Sequence, residues 1–391
     1  MTAPQLTFSA GLKSKLPDVG TTIFTTMSQM AQQYNALNLS QGFPAFDPPA
    51  FLTERLVHHL KHSTNQYAPM AGVPALREAL SEKAVMLYGA AYNPETEITI
   101  TSGATEALFC AISSVVGIGD EVIVIEPAYD SYAPAIRLCG GIPVYLTLES
   151  PDFCMDWEQL ARLISPKTRL IIINTPNNPT GLVWEKSDLD RLAALVRGTG
   201  IFVISDEVYE HIVFDGAHFS VMMHEELAPR AFVIGSFGKT FHITGWKVGY
   251  CYAPEGLTCE FRKVHQFLTF SVSVTAQFAL ADILLREKAH YLGLSAFYEH
   301  KRNLFNDCLK QTRFRFTPAK GTFFQTVSFE GLTDETDREL VERLTRETQV
   351  AAIPVSAFYR HPKGGKMIRF CFAKDDDTLL AAGERLCKIQ W

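Results

Sequence analysis

Residues 168–209 read TRLIIINTPNNPTGLVWEKSDLDRLAALVRGTGIFVISDEVY. Two apolar, β-branched runs, TRLIIINTP (168–176) and IFVISDE (201–207), flank a segment near 186–197 with helical periodicity. That segment is too long for a hairpin. Strand, crossover and strand in this order imply parallel pairing, with helices covering both faces of the sheet. The rhythm continues outward on both sides. EVIVIEP (121–127) comes before it, with helix-like stretches near 131–139 and 156–164, and AFVIGSF (231–237) and WKVGYCYAP (246–254) come after. These runs predict an α/β domain with a mainly parallel sheet.

Near residue 290 the pattern changes. Helix-like segments over 258–310 lead to short strand candidates RFRFTP (313–318) and TFFQTV (322–327). A helix near 335–347, a strand at MIRFCFA (367–373) and a last helix follow, which predicts a smaller α+β domain. A chain of 391 residues is long enough for two such cores.

The 36 basic and 42 acidic residues are interspersed and give a net charge of -6, which argues against nucleic acid or an anionic membrane as a partner. The eight cysteines form no C-x-x-C pair and read as buried free thiols of a reducing compartment. The start, MTAPQLTFSAGLKSKL, lacks the features of a secretory signal, and no apolar run approaches the ~18 residues of a membrane helix. A soluble, cytoplasmic protein is expected.

Several familiar motifs fail on spacing. In IGSFGKTFHITGWKVGY (234–250) the GKT resembles a phosphate loop, but that motif needs glycine at 233, where Val233 stands. The acidic strand ISDE also precedes the lysine, which reverses the order of a nucleoside triphosphatase. GIGDEV (117–122) puts Val122 where a dinucleotide fingerprint has its third glycine. There is no G-x-S-x-G elbow. His58 and His62 in RLVHHLKH (55–62) are one helical turn apart without a third ligand nearby, so a solvated helix face is expected and no metal.

What remains is a set of residues at strand ends: Asn178, Asp206, Tyr209, Ser236 and Lys239. Singly they read as a turn, a helix cap or a solvated lysine. Together they match catalysis by pyridoxal 5'-phosphate (PLP). The cofactor aldehyde needs a lysine amine for a Schiff base, and its ring nitrogen needs a carboxylate to stay protonated. Asp206 suits the nitrogen; Tyr209 and Asn178 suit the ring's phenolic oxygen. The phosphate needs N–H groups, hydroxyls and a cation, best at a helix start. TSGATEALFCAI (101–112) offers Gly103, Ala104 and Thr105, with Ser236 and Lys247 from the lysine loop.

The strings SFGKTFHITGWKVGY, NNPTG and SDEVYEH resemble class I aminotransferases of PLP fold type I. LSQGFPAFDPP (39–49), NQYAPMAGVPALREAL (65–80), EPAYDSYAPAIRLCGG (126–141), KVHQFLTFSV (263–272) and MIRFCFAK (367–374) extend the likeness over nearly the whole chain. Within the class it is most similar to the methionine aminotransferase and kynurenine aminotransferase (glutamine transaminase K) branch, and there to bacterial methionine aminotransferases. The resemblance implies a seven-stranded sheet in a large domain over 47–290, and a small domain from 1–46 and 291–391.

It also implies Lys239 as the Schiff-base lysine, Asp206 as the partner of the ring nitrogen and Tyr129 stacked on the ring. Lys247 stands where many relatives carry arginine. Arg369 and the Gly42 N–H would take the substrate carboxylate. Tyr67 and Phe270 would reach the neighbouring subunit's site, which implies a homodimer. Phe24, Phe43, Tyr129, Phe270 and Phe358 suit methionine or aromatic side chains, with histidine, glutamine and kynurenine behind them. The expected reaction moves an amino group to a 2-oxo acid, with Lys239 as the base. A C–S β-lyase of cysteine conjugates and a non-catalytic binding protein on the same scaffold stay open.

Overall fold

The computed structural model of the protein describes residues 11, 13–63, 65–361 and 365–391. Residues 1–10 and 12 of the expected N-terminal segment, which make up most of the start read for a signal, lie outside the described residues. The strands are β1 (Leu37–Asn38), β2 (Ile98–Thr101), β3 (Glu121–Glu126), β4 (Ile142–Thr147), β5 (Thr168–Asn174), β6 (Phe202–Asp206), β7 (Ala231–Ser236), β8 (Gly249–Tyr252), β9 (Phe324–Ser328), β10 (Val350–Ala351), β11 (Ile353–Pro354) and β12 (Met367–Cys371).

Seven of them form the main sheet in the order β2-β8-β7-β6-β5-β3-β4. β8 runs antiparallel to both neighbours, and the remaining pairs are parallel. Side chains of β5 alternate between two cores: Ile171 and Ile173 pack into one, Leu170 and Ile172 into the other. Burial on both faces is why these strands read as unbroken apolar runs. The crossover helix Lys186–Val196 starts with a reciprocal cap between Glu185 and Asp188 and buries Leu189, Leu192, Ala193 and Val196. Each such leucine contributes about 1.5–3 kcal/mol of apolar burial.

From β3 the chain goes one way, to β4, and from β5 it goes the other way, to β6 and β7. Strand order therefore reverses between β3 and β5, and ligands bind at the carboxyl edge of such a switch point. That edge carries the residues that follow Thr101, Glu126, Asn174, Asp206 and Ser236.

Beyond the main sheet, β12 lies between β9 and β11 in an antiparallel sheet, and β1 pairs in parallel with β10. Three local expectations are corrected. RFRFTP forms no strand, only a bridge between Arg315 and Ser328, because Pro318 has no N–H to extend a ladder. The strand expected over 246–254 is β8 alone, since Lys247 takes a left-handed turn at φ 54°. Cys154, Cys259 and Cys387 are exposed rather than buried. Cys259 lies on the polar side of the helix Glu255–Leu268, whose buried residues are Thr258, Phe261 and His265. All eight cysteines are free. No helix among the described residues is long and apolar enough to cross a membrane.

Candidate active site

Asp206 ends β6 and is buried under the cavity at the switch point. Its Oδ2 accepts the Tyr132 hydroxyl at 2.6 Å, and its backbone carbonyl accepts Asn174 Nδ2 at 2.8 Å. Burial pushes its carboxyl up to about 6, against the pull of the Tyr132 hydrogen bond. The group is thus poised to become fully ionic once a cation meets it. Tyr209 is buried beside it, edge-on to Phe323 and Phe324.

Lys239 lies on the short helical turn Phe237–Thr240 that follows β7. Its Nζ donates to the Gly42 carbonyl at 2.8 Å and lies 5.5 Å from the Tyr209 ring centroid. Burial pulls the ammonium down to about 8; Arg369 and Lys247 push the same way, and Cys371 and Asp206 resist. A lysine tuned in this way can both carry and give up a proton near neutral pH.

Arg369 sits mid-strand in β12, opposite Thr326 of β9, and is 0% exposed. Its Nη1 donates to Asn178 Oδ1 at 2.6 Å and its Nη2 to the Ser40 carbonyl at 2.9 Å. The Phe324 ring lies 3.9 Å from the guanidinium carbon, with Phe358 at 5.1 Å and Phe24 at 5.5 Å. Burial lowers the guanidinium to about 10. Its Nε is buried without a partner. A buried cation with a spare donor and no counter-charge in contact is built to receive an anion.

The fourth component is the start of the helix Gly103–Val115, where the N-cap Ser102 makes no side-chain cap hydrogen bond. Gly103 holds φ +77°, and a Cβ there would come within 3.2 Å of Lys247 Nζ. Glycine thus serves both the turn and the lysine's approach. Open N–H groups, the Thr105 and Ser236 hydroxyls and the Lys247 ammonium form an anion cradle. Burial pushes the Tyr129 phenol up, with the nearby Thr105 hydroxyl opposing, and its ring meets that of Tyr132 at 5.8 Å between centroids.

One cavity of about 280 Å³ is lined by Phe24, Gly42, Gly103, Ala104, Thr105, Tyr129, Asn178, Asp206, Tyr209, Ser236, Lys239, Lys247 and Arg369. The expectation for Gly42 centred on its N–H, whereas its carbonyl holds Lys239. Tyr67 and Phe270 do not line the cavity: they are 84% and 43% exposed and touch each other, ring centroids 5.6 Å apart. Phe43 is exposed under Lys374 Nζ, 4.7 Å from its ring centroid. His58 and His62 stack on an exposed helix face at 4.7 Å.

The motif reading missed Tyr132, Asn174, Gln41, Thr244 and Phe324. Tyr132 is three residues from Tyr129 in EPAYDSYAP, and nothing in the string says which tyrosine reaches Asp206. For Asn174, the last residue of an apolar strand, its polarity at that place was a usable signal.

Comparison with known proteins agrees over the whole molecule. The family described as aminotransferase class I and II matches residues 34–386. A methionine aminotransferase of Escherichia coli (strain K12) is 53% identical over 378 residues, 96% of this chain and 98% of that protein. A kynurenine–oxoglutarate transaminase of Dictyostelium discoideum is 36% identical, over 98% of each. A crystal structure from Escherichia coli, identified with a methionine aminotransferase function, superposes with a TM-score of 0.95 at 52% identity, covering 97% of this chain and 100% of that one.

Proposed function

The chain belongs to the class I and II aminotransferases, and on that premise we propose that methionine is its foremost amino donor and a 2-oxo acid its acceptor. Aromatic amino acids, histidine, glutamine and kynurenine follow as further donors. It is a PLP-dependent transaminase of fold type I. The residues present fit that cofactor: a lysine amine, a buried carboxylate and an open helix start converge on one cavity, matching its aldehyde, ring nitrogen and phosphate.

When bound, the cofactor supplies an electron-poor ring that stabilises negative charge at the substrate Cα. Each remaining part of the mechanism belongs to this chain's residues. Lys239 would anchor the aldehyde end and, once free, would take a proton at Nζ from the substrate Cα and deliver it to the former aldehyde carbon rather than back to Cα. Its position near pH 8 lets it do both. Asp206 would keep the ring nitrogen protonated, and Tyr132 holds Asp206 in place. Arg369 would bind the substrate α-carboxylate with the donors its neighbours leave free, while Phe324, against the guanidinium face, shields it from water. Asn178, already bonded to Arg369, links that carboxylate site to the ring's oxygen side. Gly103, Ala104, Thr105, Ser236 and Lys247 would take the phosphate, and Tyr129 would lie on the ring.

The donor preference rests on charge as well as likeness. Among the described lining residues the cations are Lys239, Lys247 and Arg369, and each already has a task. An acidic side chain would find no second cation. Phe24 offers apolar surface instead. Tyr67 and Phe270, exposed and outside their own chain's cavity, support a homodimer in which each subunit completes the other's site. The division into 47–290 and 1–46 with 291–391 is supported by the pairing of β1 with β10. A cytoplasmic location completes the proposal.

The observation that carries the reading is the convergence of Lys239, Asp206 and Arg369 on one cavity, in a chain 53% identical to a methionine aminotransferase. The test is a half-reaction screen of the loaded enzyme with single amino acids, followed by visible absorbance. Methionine should bleach the bound-cofactor band and aspartate should not. The reverse order overturns the donor assignment.

A further inference from the structure

Glu106 lies one turn inside the helix whose start forms the anion cradle, and it is buried. A lone carboxylate there would repel a phosphate bound at Gly103–Thr105. The structure gives it a partner. Glu106 Oε1 lies 2.6 Å from Nδ1 of His265, a residue 0% exposed on the helix Glu255–Leu268. Glu106 Oε2 accepts the Ser102 N–H at the helix start. On its far side, His265 Nε2 lies 2.9 Å from the Met70 carbonyl.

A carbonyl only accepts, so Nε2 must carry a hydrogen, and a second proton lies between Nδ1 and the carboxylate. Wherever that second proton resides, imidazole and carboxyl together are net neutral. Burial opposes charge on Glu106, but the His265 hydrogen bond and charge outweigh it and hold the carboxyl below its usual range. The other groups facing Glu106 are Cys110, with Sγ at 3.9 Å, and the Thr269 hydroxyl.

We propose that His265 is a positioning residue for the cofactor phosphate: it cancels the Glu106 charge beneath the cradle and ties the cradle helix to the Met70 backbone. Met70 is three residues from Tyr67, so the same tie steadies the segment expected to serve the neighbouring subunit. The inference rests on the phosphate-cradle assignment made under the proposed function.

The test uses full-length protein with His265→Gln, Glu106→Gln and both changes together. Binding of PLP is compared with binding of pyridoxal, which lacks the phosphate, by visible absorbance. H265Q strands the carboxylate, and PLP affinity should fall about ten-fold or more while pyridoxal affinity stays. E106Q should keep wild-type affinity, and the double variant should recover it to within about three-fold. Equal losses for both ligands, no loss in H265Q, or no recovery in the double variant overturns the proposal. Should H265Q not fold, E106Q decides: retained PLP affinity supports the proposal, and a ten-fold loss overturns it. If the wild-type protein shows no preference for PLP over pyridoxal, the cradle assignment itself falls, and the proposal with it.

Discussion

Tyr132 donates its phenolic hydrogen to Asp206 Oδ2 at 2.6 Å, joining residues 74 positions apart at the base of the active-site cavity. The donor favours the ionised carboxylate, while burial opposes it and leaves the group at about 6. In Tyr132→Phe the stabilising donor is gone, so the carboxyl moves higher and is neutral over a wider acidic range. The acid limb of the kcat/KM profile should shift to higher pH, with a loss of about ten-fold near neutrality. A profile superimposable on wild type would remove Asp206 from the ring-nitrogen role.

Lys239→Ala deletes the residue proposed as both anchor and base. Turnover should drop by at least about 10⁴-fold with the far-ultraviolet circular dichroism unchanged. Residual activity near wild type would refute the assignment.

The same lysine predicts a pH effect on stability in cofactor-free protein. Its folded value near 8 lies below the ordinary lysine value of 10.5, so between them the unfolded chain binds more protons than the folded one. Wild type should therefore gain stability relative to Lys239→Met as pH rises from about 8 to about 10.5. Denaturant melts at both ends of that window measure it; parallel curves would mean the ammonium is not desolvated.

Arg369→Lys keeps the charge and loses the fork that meets Asn178 and Ser40 and leaves Nε free. KM for methionine should rise about ten- to a hundred-fold, the worth of one charged hydrogen bond, with a smaller change in kcat. Steady-state kinetics over a wide substrate range would show it, and an unaltered KM would place the carboxylate elsewhere.

Gly103→Ala puts a Cβ at φ +77° and within 3.2 Å of Lys247 Nζ. The expected cost is about 1–2 kcal/mol of stability together with weaker PLP binding. Thermal melts and cofactor titration of one preparation report both, and a variant matching wild type in each would contradict the cradle geometry.

Much of the fold was legible because the signals are local. β3, β5, β6 and β7 appear as apolar runs since both their faces are buried, and the crossover between β5 and β6 carries its own helical period and cap. β2 and β4 escaped the pattern: β2 has only four residues, and β4 is partly exposed along its length. Asp206 and Lys239 could be found because polar residues directly after such strands fall on one edge of the sheet.

The sequence by itself determined the parallel sheet, the edge where chemistry gathers and the lysine and aspartate that belong to it, because period and strand-end position are properties of neighbouring residues; Arg369, mid-strand in β12, was legible only through the family resemblance. Only the tertiary structure decided that Tyr132 rather than Tyr129 holds Asp206, that three phenylalanines enclose Arg369, and that His265 answers Glu106. Those pairings join distant parts of the chain, and removal from water, which exists only once the layers close, sets the protonation of each buried group.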